Sequence, residues 1–113
     1  MVQNRNKLIE LFVGNIANAV LHKVLESAIQ DEGLSDYYKK EQTTSRNIAI
    51  TYREKINPVD ANLPEKDVKY IREKVKKKVY AELMLRISKG YKGINLDLMD
   101  KYLEELLIET RII

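Results

Sequence analysis

The sequence contains no cysteine, a single histidine and no uninterrupted apolar run of about 18 residues. Without cysteine the chain has no disulfide framework, no thiolate nucleophile and no cysteine-based zinc site. This composition fits a reducing compartment, so we expect a cytoplasmic protein. Because no apolar run is long enough to span a bilayer, we expect no membrane partner.

Residues that could support catalysis are also scarce. His22 stands four residues before Glu26, a spacing that allows a hydrogen bond but supplies no nucleophile. No glutamate precedes His22 by three residues, so the Glu-x-x-His element of helical di-metal sites is absent. Lys101 lies four residues from both Asp97 and Glu105, which predicts a ladder of ion pairs rather than a metal site. We therefore expect a non-enzymatic protein with no catalytic residue, no metal and no cofactor.

The periodicity of apolar residues predicts an all-α fold. The chain has 113 residues, of which 44% are hydrophobic and 33% charged, as in a folded single domain covering residues 1–113. Apolar positions recur every three or four residues over 4–30, 35–57, 64–89 and 95–111. Four helices with short connections predict an antiparallel four-helix bundle. Residues 47–53 also alternate well enough for a strand, which would make the fold α+β, but a lone strand has no partner in this chain.

The predicted helix ends rest on residues typical of caps. Gly33 suits the position after the first helix, and Ser35 suits the N-cap of the second. Gly90 suits the end of the third helix and Asn95 the N-cap of the fourth. The second helix is expected to turn six residues toward the core: Tyr38, Ser45, Ile48, Ala49, Tyr52 and Ile56.

Charge is distributed unevenly along the chain. Residues 1–61 carry eight basic and eight acidic side chains, whereas residues 62–93 carry ten basic and four acidic ones. Residues 94–113 have the opposite excess, with five acidic and two basic side chains. A basic helix of this kind either neutralises a polyanion or pairs with an acidic helix beside it.

The basic third helix gives the functional prediction. Its charges spread around the exposed side instead of converging on one strip, which favours contacts to phosphates over base reading. Part of this charge is expected to be satisfied by Glu73, through Lys69 and Lys77, and by Glu82, through Lys78. We predict sequence-tolerant binding of DNA or RNA backbone by seven residues: Lys66, Lys69, Arg72, Lys76, Lys77, Lys89 and Lys92.

An assembly module is the alternative function, with a second copy of the chain or another protein as partner and no role in nucleic-acid binding. The first helix has an apolar face that we expect to be too broad for one small bundle to cover, formed by Leu8, Leu11, Phe12, Ile16, Leu21, Val24 and Leu25. The apolar C-terminal end, Arg111-Ile112-Ile113, is a second segment that a partner would bury.

Overall fold

The computed structural model describes residues 5–28, 32–56, 63–110 and 112. They form four helices: α1 (Arg5–Ala28), α2 (Glu32–Ile56), α3 (Glu65–Ser88) and α4 (Asp97–Glu109). Helix α1 packs against the other three helices, and α3 also packs against α4. The predicted all-α helical bundle is confirmed. Residues 47–53 lie inside α2, so they are helical and the strand alternative is wrong.

Helix α1 is the centre of the core. It is long and apolar enough to cross a membrane by length and composition, but most of that stretch is buried inside the bundle. Its packing against the other three helices accounts for its apolar character. Of the broad face predicted from the sequence, every residue except the half-buried Leu11 is covered by the chain itself. The expectation that one bundle could not cover this face is therefore wrong.

The start of α2 corrects two predicted caps. Helix α2 begins at Glu32, so Gly33 and Ser35 lie inside its first turn instead of ending α1 and capping α2. Of the described glycines, only Gly90 and Gly93 have a positive φ. In the first turn of a helix the backbone N–H groups need no intrahelical partner, so small residues there cost little. Residues 29–31 lie outside the described part of the chain.

Of the six residues predicted on the core side of α2, five are buried or pack against the core and Ile48 is the exception. Ile48 is 41% exposed, whereas Arg53 is buried. Because α2 packs mainly on α1, it buries only a narrow stripe, in which Ser45, Ala49 and Arg53 follow at four-residue intervals. Ile48 falls beside this stripe. Burial lowers the pKa of the Arg53 guanidinium.

The connection from α3 to α4 follows one of its two predicted caps. Gly90 has φ of 98°, its N–H donates to the carbonyl of Ile87 at 3.0 Å, and the N–H of Tyr91 donates to the carbonyl of Arg86 at 3.1 Å. This pair of bonds is the Schellman motif, which ends α3. Before α4, the side-chain oxygen of Asn95 accepts a hydrogen bond from the Asp97 N–H at 3.0 Å. Gly90 is therefore confirmed as the residue that ends α3, whereas Leu96 takes the N-cap position of α4 and Asn95 accepts its hydrogen bond from the position one residue before that cap.

Ile112 packs onto the bundle. The N–H of Ile112 donates to the carbonyl of Leu107 at 2.9 Å, and the Ile112 side chain is 4% exposed. This residue therefore needs no partner to cover it, contrary to the expectation from the sequence. Arg111 and Ile113 lie outside the described residues.

Candidate nucleic-acid interface

The buried stripe of α3 fixes which of its basic residues meet other helices. Ile71, Val75, Val79 and Leu83 follow at four-residue intervals and are buried. The residues next to this stripe on one side, Arg72 and Lys76, face α4, and we call them the inner cations. The remaining predicted site residues are exposed, and we call them the outer lysines: Lys66, Lys69, Lys77, Lys89 and Lys92.

The inner cations form ion pairs with α4. Arg72 donates from Nε and Nη2 to the two carboxylate oxygens of Glu104, at 2.9 and 3.1 Å. Lys76 Nζ lies 3.3 Å from a carboxylate oxygen of Asp100. The pairs step in opposite directions along the two helices, so α3 and α4 are antiparallel. These two members of the predicted site are therefore already paired within the chain.

The other two acidic residues in the second half of α4 are paired with different helices. Glu105 binds Lys23 of α1 at 3.0 Å, and Glu109 binds Arg46 of α2 at 3.5 Å. Glu105 therefore pairs with Lys23 and not, as the sequence predicted, with Lys101. Helix α4 is thus a shared acidic partner for cations of all three other helices, and its carboxylates do not reach the outer side of α3.

The outer lysines are left with their charge in solvent. None of them forms an ion pair with a described residue, and Glu73, predicted to bridge Lys69 and Lys77, is exposed without pairing to either. Glu82 binds Arg86 at 2.8 Å instead of Lys78. The seven candidate residues, five on α3 and two in the turn after it, are thus divided into two that are paired and five that have no ion pair with a described residue.

Exposed tyrosine rings accompany the outer lysines. Tyr80 is 50% exposed and Tyr91 is 47% exposed. Neither side chain makes an aromatic, cation–π or hydrogen-bond contact with a described residue. The other tyrosines all have such a contact: Tyr37, Tyr38, Tyr52, Tyr70 and Tyr102. Tyr70 also donates its hydroxyl to Glu10, a hydrogen bond that raises the pKa of Tyr70.

A groove of about 710 Å³ lies between α1 and α3, with Gly14 and His22 on one wall and Arg86 on the other. The His22 ring stacks on Tyr38 with 5.5 Å between centroids. Burial lowers the pKa of His22, the carboxylate of Glu41 opposes this shift, and the charge of Arg86 adds to it. Within the described residues, no group of three or more metal-ligating side chains converges here or elsewhere. The stacked, partly buried ring fits a structural role for His22.

Comparisons with protein-family models, with curated proteins and with solved structures give no match. Function is therefore inferred from the charge, pairing and exposure of the residues themselves.

Proposed function

We propose that this protein is a non-enzymatic nucleic-acid-binding protein that contacts the phosphate backbone through the outer lysines. Contacts of this kind neutralise phosphates and release counterions, so they give affinity without sequence readout and weaken as salt rises. Arg72 and Lys76, which the sequence placed in the same site, serve the contact between α3 and α4 in this proposal.

The observation that carries the proposal is the separation of the two kinds of cation on one helix. Four carboxylates of α4 pair with Arg72, Lys76, Lys23 and Arg46. Four of the five carboxylates of α4 are thereby paired with other helices, and the outer lysines form no ion pair with a described carboxylate. A surface whose charge is not used for folding is available to a polyanion.

Charge reversal on this surface tests the proposal. Anisotropy of labelled DNA and RNA should show binding that weakens by about 100-fold between about 50 and 200 mM salt if five phosphates of a single strand are contacted. Lys69→Glu with Lys77→Glu should weaken binding about tenfold or more. The matched control is Lys40→Glu with Lys55→Glu, which changes the net charge by the same amount at exposed positions of α2. Equal losses in both double variants, or no loss in the first, would contradict the assignment.

Assembly with a second copy is supported by different residues from those the sequence suggested. Three large apolar side chains are exposed: Leu34 and Ile48 on α2 and Leu85 on α3. Among the described residues, no ion pair links α2 to α3. Exposed apolar side chains favour contact with another protein surface where they join into one patch. Light scattering over a wide range of protein concentration tests this second function, which a monomer at every concentration would contradict.

A further inference from the structure

Two tyrosine rings without a described polar or aromatic partner lie near outer lysines, one on α3 and one in the turn after it. Tyr80 follows Lys77 by three residues on α3, so their side chains are neighbours on the helix surface, with Cβ atoms about 5–6 Å apart. Tyr91 lies between Lys89 and Lys92 in the turn after α3. Each ring therefore has a free lysine beside it in the chain or on the helix.

The other five tyrosine rings are in contact with other side chains. Each contacts another ring or lies beneath a lysine, as Tyr102 does beneath Lys23, with Nζ 4.6 Å from the ring centroid. Half-exposed rings that are not engaged in this way present a flat apolar face to solvent. Bases of nucleic acids stack on such faces, and because every base has one, stacking tolerates any sequence.

We propose that the nucleic acid bound by this protein is single-stranded, with bases stacked on Tyr80 and Tyr91 while the outer lysines hold the backbone. This inference rests on the proposed function. A duplex keeps its base faces inside its own stack, whereas a single strand can turn them outward onto aromatic side chains. From Lys66 to Ser88 the helix is about 33 Å long, which is the length of several nucleotides.

Leucine substitution separates stacking from charge. Oligo(dT), oligo(U) and a DNA duplex, each about 20 nucleotides long, are titrated by anisotropy at constant salt. Both single strands should bind more tightly than the duplex. Tyr80→Leu and Tyr91→Leu should each weaken single-strand binding at least about fivefold and leave duplex binding unchanged, whereas Tyr80→Phe should keep the affinity. Tyr37→Leu is the matched control, because Tyr37 is 54% exposed but lies on α2.

Intrinsic fluorescence gives a second readout that a purely structural role of these residues would not produce. The chain has no tryptophan, so its emission comes from tyrosine. Stacking of bases on Tyr80 should quench part of this emission, and Tyr80→Phe should remove that part while affinity is retained. Oligo(dU) compared with oligo(U) shows which sugar is preferred, because these two strands carry the same base.

The outcomes distinguish this inference from the proposed function. Equal affinity for single strands and duplex, with no effect of either leucine variant, would overturn single-strand stacking. If Lys69→Glu with Lys77→Glu still weakened binding, backbone contact by the outer lysines would stand. Absence of binding to all three probes at low salt would overturn both.

Discussion

The two sides of α3 carry similar residues in different surroundings. On the side facing α4, Arg72 and Lys76 lie within ion-pair distance of Glu104 and Asp100. On the outer side, Lys69 and Lys77 are exposed and have no such partner among the described residues. The sequence shows one basic helix. In the folded chain its inner cations pair with α4, whereas the outer lysines remain available for a ligand.

The contrast between the two sides shows that a local excess of positive charge does not by itself indicate function. The cations that pair within the fold must first be distinguished from those that do not. Ion pairs between α3 and α4 are partly exposed and therefore contribute modestly to stability. The apolar stripe below them supplies the main attachment of α3 to the bundle. Substitutions on the buried, inner and outer sides should consequently have effects of very different size.

The largest effect is expected in the buried stripe. Leu83→Ala should lower the free energy of unfolding by about 2–5 kcal/mol, because it removes buried methyl groups and leaves a cavity. Leu85, two residues later, is 48% exposed, so Leu85→Ala serves as control and should change stability by less than about 0.5 kcal/mol. Urea denaturation of both variants measures the contrast. Equal losses would show that α3 is not oriented as described.

A smaller effect is expected from the inner ion pairs. Glu104→Gln should lower the free energy of unfolding by about 0.5–1 kcal/mol, because Arg72 loses a two-bond carboxylate partner on a partly exposed surface. The control is Glu73→Gln, which changes an exposed carboxylate on α3, the helix of Arg72, and for which we expect no loss. The difference in unfolding free energy between the two variants should be smaller in denaturation at high salt than at low salt, because salt screens the ion pair. A larger loss in Glu73→Gln would reverse the assignment of inner and outer sides.

Next comes a pH dependence on the side of α3 that faces α1, where Arg86 and His22 line one groove. Because the pKa of folded His22 is below its usual value of 6.5, the unfolded chain binds the proton first as pH falls. Stability should therefore be lost as pH decreases through about 6.5 toward the folded pKa. His22→Gln should flatten the curve of unfolding free energy between about pH 8 and 5.5, where no other side chain ordinarily titrates. An unchanged curve would remove His22 as the cause.

The smallest effect on folding is expected from the outer lysines. Lys69→Gln with Lys77→Gln should change the free energy of unfolding by less than about 0.5 kcal/mol, since neither side chain is buried or ion-paired with a described residue. Thermal unfolding of this double variant measures the change. A loss of more than about 1 kcal/mol would show that these lysines serve the fold, and the contrast between the two sides of α3 would fail.

Much of the fold could be predicted from the sequence, because four periodic apolar segments and the residues Gly90 and Asn95 are local signals. The errors in α2 have a different origin. Which side of α2 faces inward depends on its packing against α1. Ile48, which was expected on the core side, is therefore exposed, and Arg53 is buried. Cap propensities of Gly33 and Ser35 are weak and were overridden by the earlier start of α2 at Glu32.

The candidate site could be predicted only as a set of residues on one helix. Which of them remain available depends on partners from other segments, such as Glu104 for Arg72, and these partners come from the tertiary packing. The same holds for the rings of Tyr80 and Tyr91, whose lack of described polar or aromatic partners is visible only when all helices are in place.

The salt dependence of binding tests the central claim most directly. The slope of log K against log salt counts the phosphates that are neutralised, at about 0.7 per phosphate for a single strand. We predict a slope of about −3.5 for the wild-type protein with its five outer lysines, and a slope smaller in magnitude by about 1.4 for Lys69→Gln with Lys77→Gln. The same slope in both proteins would show that the outer side of α3 does not contact the backbone.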